Sequence, residues 1–254
     1  VNLVDDIFLK GDDFEASIFC TYGLNLNFLE NYLMKLDALA SCDNICIFTD
    51  SSTYDSFINE SYTPRWLNRK YLVNRIRTRG VFHPKLYMLA SEKKAIIGIG
   101  SANLTREGIA SNMELLSTFE VSEKDNYYAP LLKDCIDYIS RIAHVTKSKK
   151  AIDMVEIFKQ VSSTYLNSIS TNDIHFIHNL DRPIIESIKE YSGDQHIKKI
   201  QILSPFFDTK LTPLKSLREA FPSCKYEFYL QKKKSNFPKD LFDEIRPFAT
   251  LMHY

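Results

Sequence analysis

The chain has 254 residues, enough for one large domain or two smaller ones, and its 44% hydrophobic and 25% charged residues are an ordinary globular balance. Lys+Arg and Asp+Glu each number 32, so general basicity cannot draw this protein to a polyanion, and any such site must be a local patch. With only 7 glycines and 9 prolines the sequence is not low-complexity, and no apolar run approaches the roughly 20 residues that span a bilayer.

In chain order, residues 16–22 read as a buried strand. Residues 25–40 read as a helix, with Asn25 as N-cap and Phe28, Leu29, Tyr32, Leu33, Leu36 and Leu39 at helical spacing. Strands follow at 45–49, 72–77, 85–89, 94–99 and 114–121, which implies a layered α/β domain. Helices are expected at 127–145 and 151–166, and the Ser/Thr/Asn-rich stretch 167–173 as a connection. The opening pattern then returns: a strand near 200–208, a short helix at 211–220 and a strand at 224–231. This predicts a first lobe over residues 1–150, then a connecting helix and an incomplete second lobe over 151–254. If the repeat is real, His253 falls at the repeat position of His83, with a shorter stretch before it.

The five cysteines (Cys20, Cys42, Cys46, Cys135, Cys224) lack metal-ligand spacing. An odd count without a secretory leader points to a reducing, cytoplasmic setting. The chain begins at Val1, which suggests either processing or a piece of a longer polypeptide.

The informative stretch is FHPKLYMLASEKKAIIGIGSANLTREGIASNMELL, residues 82–116. A histidine is a nucleophile or proton carrier near neutral pH. Lys85, two residues on along a strand, shares its face. Gly100-Ser101-Ala102-Asn103 leaves a strand with small residues that permit close backbone approach, and Ser101 and Asn103 offer hydrogen bonds to an oxyanion. Glu114 is positioned to fix the histidine tautomer, as carboxylates do in other catalytic sites. Arg75, Arg77 and Arg79 lead into His83. They are either a solvated strand face or phosphate contacts, and proximity to the motif favours contact.

These residues resemble the phospholipase D superfamily, whose signature is H-x-K, a spacer, an aspartate, and G-S-x-N further on. His83-Pro-Lys85, Gly100-Ser-Ala-Asn103 and Glu114 match it, and the wording is most similar to the prokaryotic nuclease branch with its restriction-endonuclease and helicase-associated members. The aspartate position falls on Ala90, a departure that weakens a lipase reading more than a nuclease one. The resemblance implies a phospholipase D-like α/β fold of two similar lobes, each a mixed sheet flanked by helices. It implies attack by His83 on phosphorus to give a phosphohistidine, with Lys85 and Asn103 on the non-bridging oxygens. Ser101 would support them, Glu114 would orient His83, and neither metal nor cofactor would be needed. Tyr22, ending the first strand, is either a site-lining residue or core.

Such chemistry requires a second histidine. It comes from His253, as the start of a second motif continuing past Tyr254, or from a two-fold homodimer pairing two copies of His83. The expected partner is nucleic acid, DNA favoured, with no membrane. The branch resembled adds a restriction or phage-defence setting and a helicase or other defence subunit. Rival readings are a non-cleaving nucleic-acid-binding module and a phospholipid phosphodiesterase or phosphatidyltransferase.

Overall fold

The structure, a computed structural model, describes residues 7–9, 13–58, 62–166, 174–193 and 195–253. The chain divides into two compact units, Val1–Phe176 and Ile177–Tyr254. The expected connection at 167–173 lies outside the described residues, as does Tyr254.

In the first unit six strands form one sheet: β1 (Ala16–Thr21), β2 (Asn44–Asp50), β3 (Tyr71–Ile76), β4 (Leu86–Ala90), β5 (Lys94–Gly100) and β6 (Leu116–Ser122), in the order β3-β2-β1-β4-β5-β6. β1, β2 and β3 run parallel. β4, β5 and β6 are antiparallel neighbours, and polarity switches between β1 and β4. Every residue of β1 and of β4 is buried, which is why these segments read as continuous apolar runs. Alternation divides them between two cores: Ile18, Cys20 and Met88 on one face, Phe19, Tyr87 and Leu89 on the other. Each large side chain so buried contributes about 1.5–3 kcal/mol.

The first of these faces is covered by α4 (Ala129–Thr146) and α5 (Lys149–Val161), through Leu131, Leu132, Cys135, Ile139, Val155 and Phe158. Because α5 packs on β1 and β2, it belongs to the first unit, and the boundary falls at 176 rather than after 150. The segment expected as one helix at 151–166 is interrupted at Ser162, whose hydroxyl donates back to the Phe158 carbonyl at 2.7 Å, and resumes as α6 (Ser163–Leu166).

The opposite face is covered by the segment expected as a helix at 25–40. Asn25 does cap it, accepting from Phe28 N at 2.8 Å, and of the residues at helical spacing Leu29, Leu33 and Leu39 are buried, Phe28 and Leu36 half-buried and Tyr32 exposed. The helix is not continuous: α1 (Leu26–Asn31) gives way to a 3₁₀ turn (Leu33–Lys35) and then α2 (Asp37–Ala40). It ends one residue after Glu30, a buried carboxylate that accepts from Tyr62 Oη and Tyr71 Oη at 2.7 Å and from Arg65 N and Trp66 N at 2.9 Å. Those four donors fix α1 to the 62–71 segment, and they hold the Glu30 carboxyl below its usual range despite the opposing effect of burial. A further helix, α3 (Ser51–Ile58), follows β2 directly.

The second unit has α7 (Ile184–Ser192), β7 (Lys199–Leu203), α8 (Thr212–Ala220), β8 (Lys225–Leu230), α9 (Phe242–Ile245) and β9 (Ala249–His253). Its sheet, β7-β8-β9, is parallel throughout, with a core of Leu211, Leu214, Tyr226, Phe228 and Ile245. It repeats the β1-β2-β3 half of the first sheet, so among the described residues it is not the mixed sheet expected of a second lobe. Register also relocates His253. It pairs with Leu230, the last residue of β8, as Ile76 pairs with Asp50, the last residue of β2. By topology His253 corresponds to Ile76, on the third parallel strand, and not to His83, which enters the antiparallel half. The connection before β9 is nearly as long as that before β3, so the shorter stretch ahead of His253 reflects its place on the third strand itself, whereas His83 lies beyond that strand. Among the described residues no helix is long and apolar enough to cross a membrane.

Candidate active site

One edge of the first sheet gathers the singled-out residues. Along it the ladders place Arg75 opposite Thr49 and Thr49 opposite Thr21. Gly100 N donates to Lys85 O at 3.2 Å, and Gly100 pairs with Leu116. The carboxyl ends of β1, β2, β3 and β5 therefore meet the amino ends of β4 and β6 on one rim.

His83 and Lys85 lie just before β4 and are brought together. Lys85 Nζ sits 2.5 Å from His83 Nδ1, 3.2 Å from Nε2 and 3.1 Å from the His83 carbonyl oxygen. The two differ in exposure: the imidazole is exposed, while Lys85 is only 7% exposed. Burial pushes the Lys85 ammonium down to about 8, against the pull of Glu114. Burial and then the Lys85 charge push the His83 imidazole below its ordinary value, while Asp50 pulls it back up. Both shifts favour the uncharged form of their group, the imidazole in particular. Tyr22 lies against this pair, its ring 4.7 Å from the His83 ring and tilted by 31°, with Lys85 Nζ 5.9 Å from the Tyr22 centroid.

Asn103 is held by its oxygen. Oδ1 accepts from Gly23 N at 2.9 Å and lies 3.5 Å from Thr21 Oγ1, while Thr21 Oγ1 also accepts from Leu104 N at 3.0 Å. This orientation leaves Nδ2, the donor end, for an anion. The glycine spacing serves the same loop. A Cβ at Gly108 would lie 2.4 Å from Asn103 O and 2.7 Å from Asn103 N, so the chain there admits no side chain.

Ser101 and Glu114 pair with each other. Ser101 Oγ donates to Glu114 Oε2 at 2.5 Å and accepts from Leu115 N at 3.0 Å, and Asn112 Nδ2 donates to Glu114 Oε1 at 3.2 Å. The expected bond from Glu114 to the His83 ring is replaced by these. The β5–β6 ladder ends at Gly100 opposite Leu116, and just beyond it Ser101 N donates to Leu115 O at 2.9 Å, which brings the neighbouring Glu114 to the Ser101 hydroxyl, while His83 enters one strand further over. Ser101 correspondingly ties β5 to β6 at the rim.

The carboxylate that serves the histidine segment is Asp50, which sequence reasoning missed. It ends β2, is 5% exposed, and accepts from Phe82 N at 2.8 Å, from Ser52 N at 2.8 Å and from Ser52 Oγ at 2.6 Å. Burial opposes its charge, yet the Ser52 and Phe82 donors, joined by His83, hold its carboxyl below the usual range. Its one sequence signal is the Asp-Ser-Ser run that caps α3. Of the three arginines, Arg75 is paired with Asp55 at 2.8 Å, and Arg77 and Arg79 are exposed beyond β3.

No protein-family model matches the chain, and no curated protein matches it. Among solved structures it is similar to NucT from Helicobacter pylori, at a TM-score of 0.38 and 15% identity over 56% of this chain and 86% of that one. It is also similar to polyphosphate kinase from Porphyromonas gingivalis, at a TM-score of 0.40 and 9% identity over 99% of this chain but only 38% of the kinase. Neither likeness is close enough to assign a family or a reaction.

Proposed function

We propose that this chain is a phospholipase D-like phosphodiesterase that works without a metal ion and cleaves DNA through a phosphohistidine. The observation that carries this is the His83–Lys85 contact: an exposed imidazole with a buried lysine amine at 2.5 Å. An unprotonated ring nitrogen has the lone pair that attacks phosphorus. Lys85 and Asn103 Nδ2 would take the non-bridging oxygens and stabilise the charge that builds on them, the largest single effect in such sites. In the first step the N–P bond forms and the P–O bond to the leaving oxygen breaks, with a proton supplied by a second histidine. In the second step water, deprotonated by that same histidine, displaces His83. The second histidine comes from a dimer mate's His83 or from a second lobe. Asp50 acts on the reaction through the segment that carries His83, and Arg77 and Arg79 contact the phosphate backbone. A place in restriction or phage defence, alongside a helicase or other defence subunit, is the setting that the nuclease-branch motif suggests.

The test is cleavage of labelled single- and double-stranded DNA in excess EDTA by wild type, His83→Ala and Lys85→Ala. The expected result is EDTA-resistant cleavage by wild type that both substitutions abolish. Cleavage that survives His83→Ala, or DNA binding without turnover in every form, would overturn the proposal, the second outcome in favour of a non-cleaving binding module.

A further inference from the structure

A groove of about 640 Å³ opens in the first unit between Phe28, Tyr32 and two asparagines, Asn27 and Asn31, on one wall, and Arg106 and Glu107 on the other. We infer that it seats one unpaired nucleobase of the nucleic-acid strand, next to the phosphate bound at His83 and Lys85. The substrate class rests on the nuclease reading above.

Both walls are continuations of the two segments that hold Asn103. α1 begins three residues after Gly23, whose N–H bonds Asn103, and Arg106 lies three residues beyond Asn103 itself. Asn25 N donates to Leu104 O at 3.1 Å, so a backbone bond ties the walls together between groove and site. A strand lying across the His83 rim therefore has a neighbouring nucleotide within reach of this groove.

The lining matches a base. Phe28 is half-buried against the core and lies beneath Tyr32, with ring centroids 5.2 Å apart and planes within 15° of parallel. Tyr32 is 45% exposed. A flat ring backed by a second ring and open to solvent is a stacking platform that needs no ordering when a base arrives. Beside it Asn31 Nδ2 donates to Asn27 Oδ1 at 2.6 Å, which fixes the pair and leaves the Asn27 amide nitrogen as a donor for a base edge. Arg106 and Glu107 are both exposed and opposite in charge, so the lining sums to zero. A phosphate finds no net attraction there. A neutral heteroaromatic ring with donors and acceptors does. In a duplex both faces of that ring are stacked and its edge is paired, so the groove serves single strands or frayed ends.

The experiment is equilibrium binding of a single-stranded oligonucleotide carrying 2-aminopurine, and of the same label within a duplex, to the full chain in EDTA, read by fluorescence quenching. Tyr32→Ala is expected to weaken single-strand binding by about tenfold, within the range that alanine replacement of a stacking aromatic produces. Tyr32→Phe, which keeps the ring, is expected to bind as wild type does, and duplex affinity to stay unchanged in both. Single-strand binding unaffected by Tyr32→Ala, or single-strand and duplex binding weakened equally, would overturn the inference. Hydrolysis of bis(p-nitrophenyl) phosphate by wild type, which involves no base, tests the nuclease reading separately. Tyr32-dependent quenching by a chain that leaves that diester intact supports the groove and removes the reaction.

Discussion

Replacing Asp50 by asparagine removes one charge and almost no volume, which makes it a clean probe of how His83 is held. One carboxylate oxygen of Asp50 takes both Ser52 donors and the other takes the Phe82 N–H at 2.8 Å, one residue before His83. Asparagine reproduces only one of these two faces. Its amide nitrogen must point at the Phe82 N–H, donor against donor, or at the two donors of Ser52. A hydrogen bond to a charged acceptor is worth about 1.5–3 kcal/mol in a protein. At about 1.4 kcal/mol per decade, exchange of the Phe82 amide hydrogen should accelerate roughly 10- to 150-fold. The amide of Met88, in the middle of β4, provides the unperturbed reference. A second readout is the acid limb of the pH–rate profile for a small phosphodiester, which reports protonation of the free histidine. Burial and Lys85 lower the His83 pKa and Asp50 raises it, so Asp50→Asn is expected to move that limb to lower pH. Glu114→Gln is expected to leave the limb in place. An unchanged Phe82 exchange rate would refute the reasoning, and a limb displaced by Glu114→Gln instead of Asp50→Asn would return the orienting role to Glu114.

Lys85→Met should abolish turnover while raising stability. Folding lowers the Lys85 pKa from 10.5 to about 8, so between those values the unfolded chain holds a proton that the fold does not, and wild-type stability rises with pH. The gain in melting temperature from Lys85→Met is therefore expected to shrink as pH climbs from 8 to 10.5, and a gain that does not shrink would show that the buried lysine is not destabilising in its charged form. Gly108→Ala forces a Cβ to within 2.4 Å of the Asn103 carbonyl oxygen, an overpacking that costs about 1–3 kcal/mol, and should lower both stability and diester hydrolysis by displacing Asn103. Gly80→Ala, whose Cβ meets nothing within 4 Å, should change neither in thermal melts and rate assays.

The sequence was most readable where a residue's neighbours along the chain are also its neighbours in space. All six strands of the first sheet are found within about two residues of their expected ends, the central β1 and β4 because fully buried strands are apolar throughout. His83 and Lys85 meet as period-two alternation implies. Contacts that cross the sheet were less readable. Asp50 comes 32 residues before the Phe82 amide it holds, joined to it only by the ordering of β2 and β4 about β1. Glu114 was assigned to His83 on residue type, whereas the chain just beyond the β5–β6 ladder delivers it to Ser101. Beside the break after α1, Glu30 takes donors 32 to 41 residues away, beyond any local pattern. α3 is short and interleaves Ser, Thr and Asp with two aromatics, so its periodicity carried no signal.

The β4–β5 hairpin imposes arithmetic on the motif. His83-Pro-Lys85 runs into the sheet and Gly100-Ser-Ala-Asn103 runs out of it, with Gly100 paired to Lys85 across the open end. The separation of the two half-motifs along the chain is thus the length of one excursion down β4 and back along β5, set by strand length and not by chemistry. A single residue inserted within β5 turns everything beyond it to the opposite face and withdraws Asn103 from the rim. A matched pair, one in each strand, lengthens the hairpin at its far end and returns the chain to the same point. Within the strands the spacing between the two half-motifs can therefore change only by such matched, even steps, whereas the 91–93 turn can lengthen by any number without moving the rim, and a search for distant relatives should place its odd gaps there.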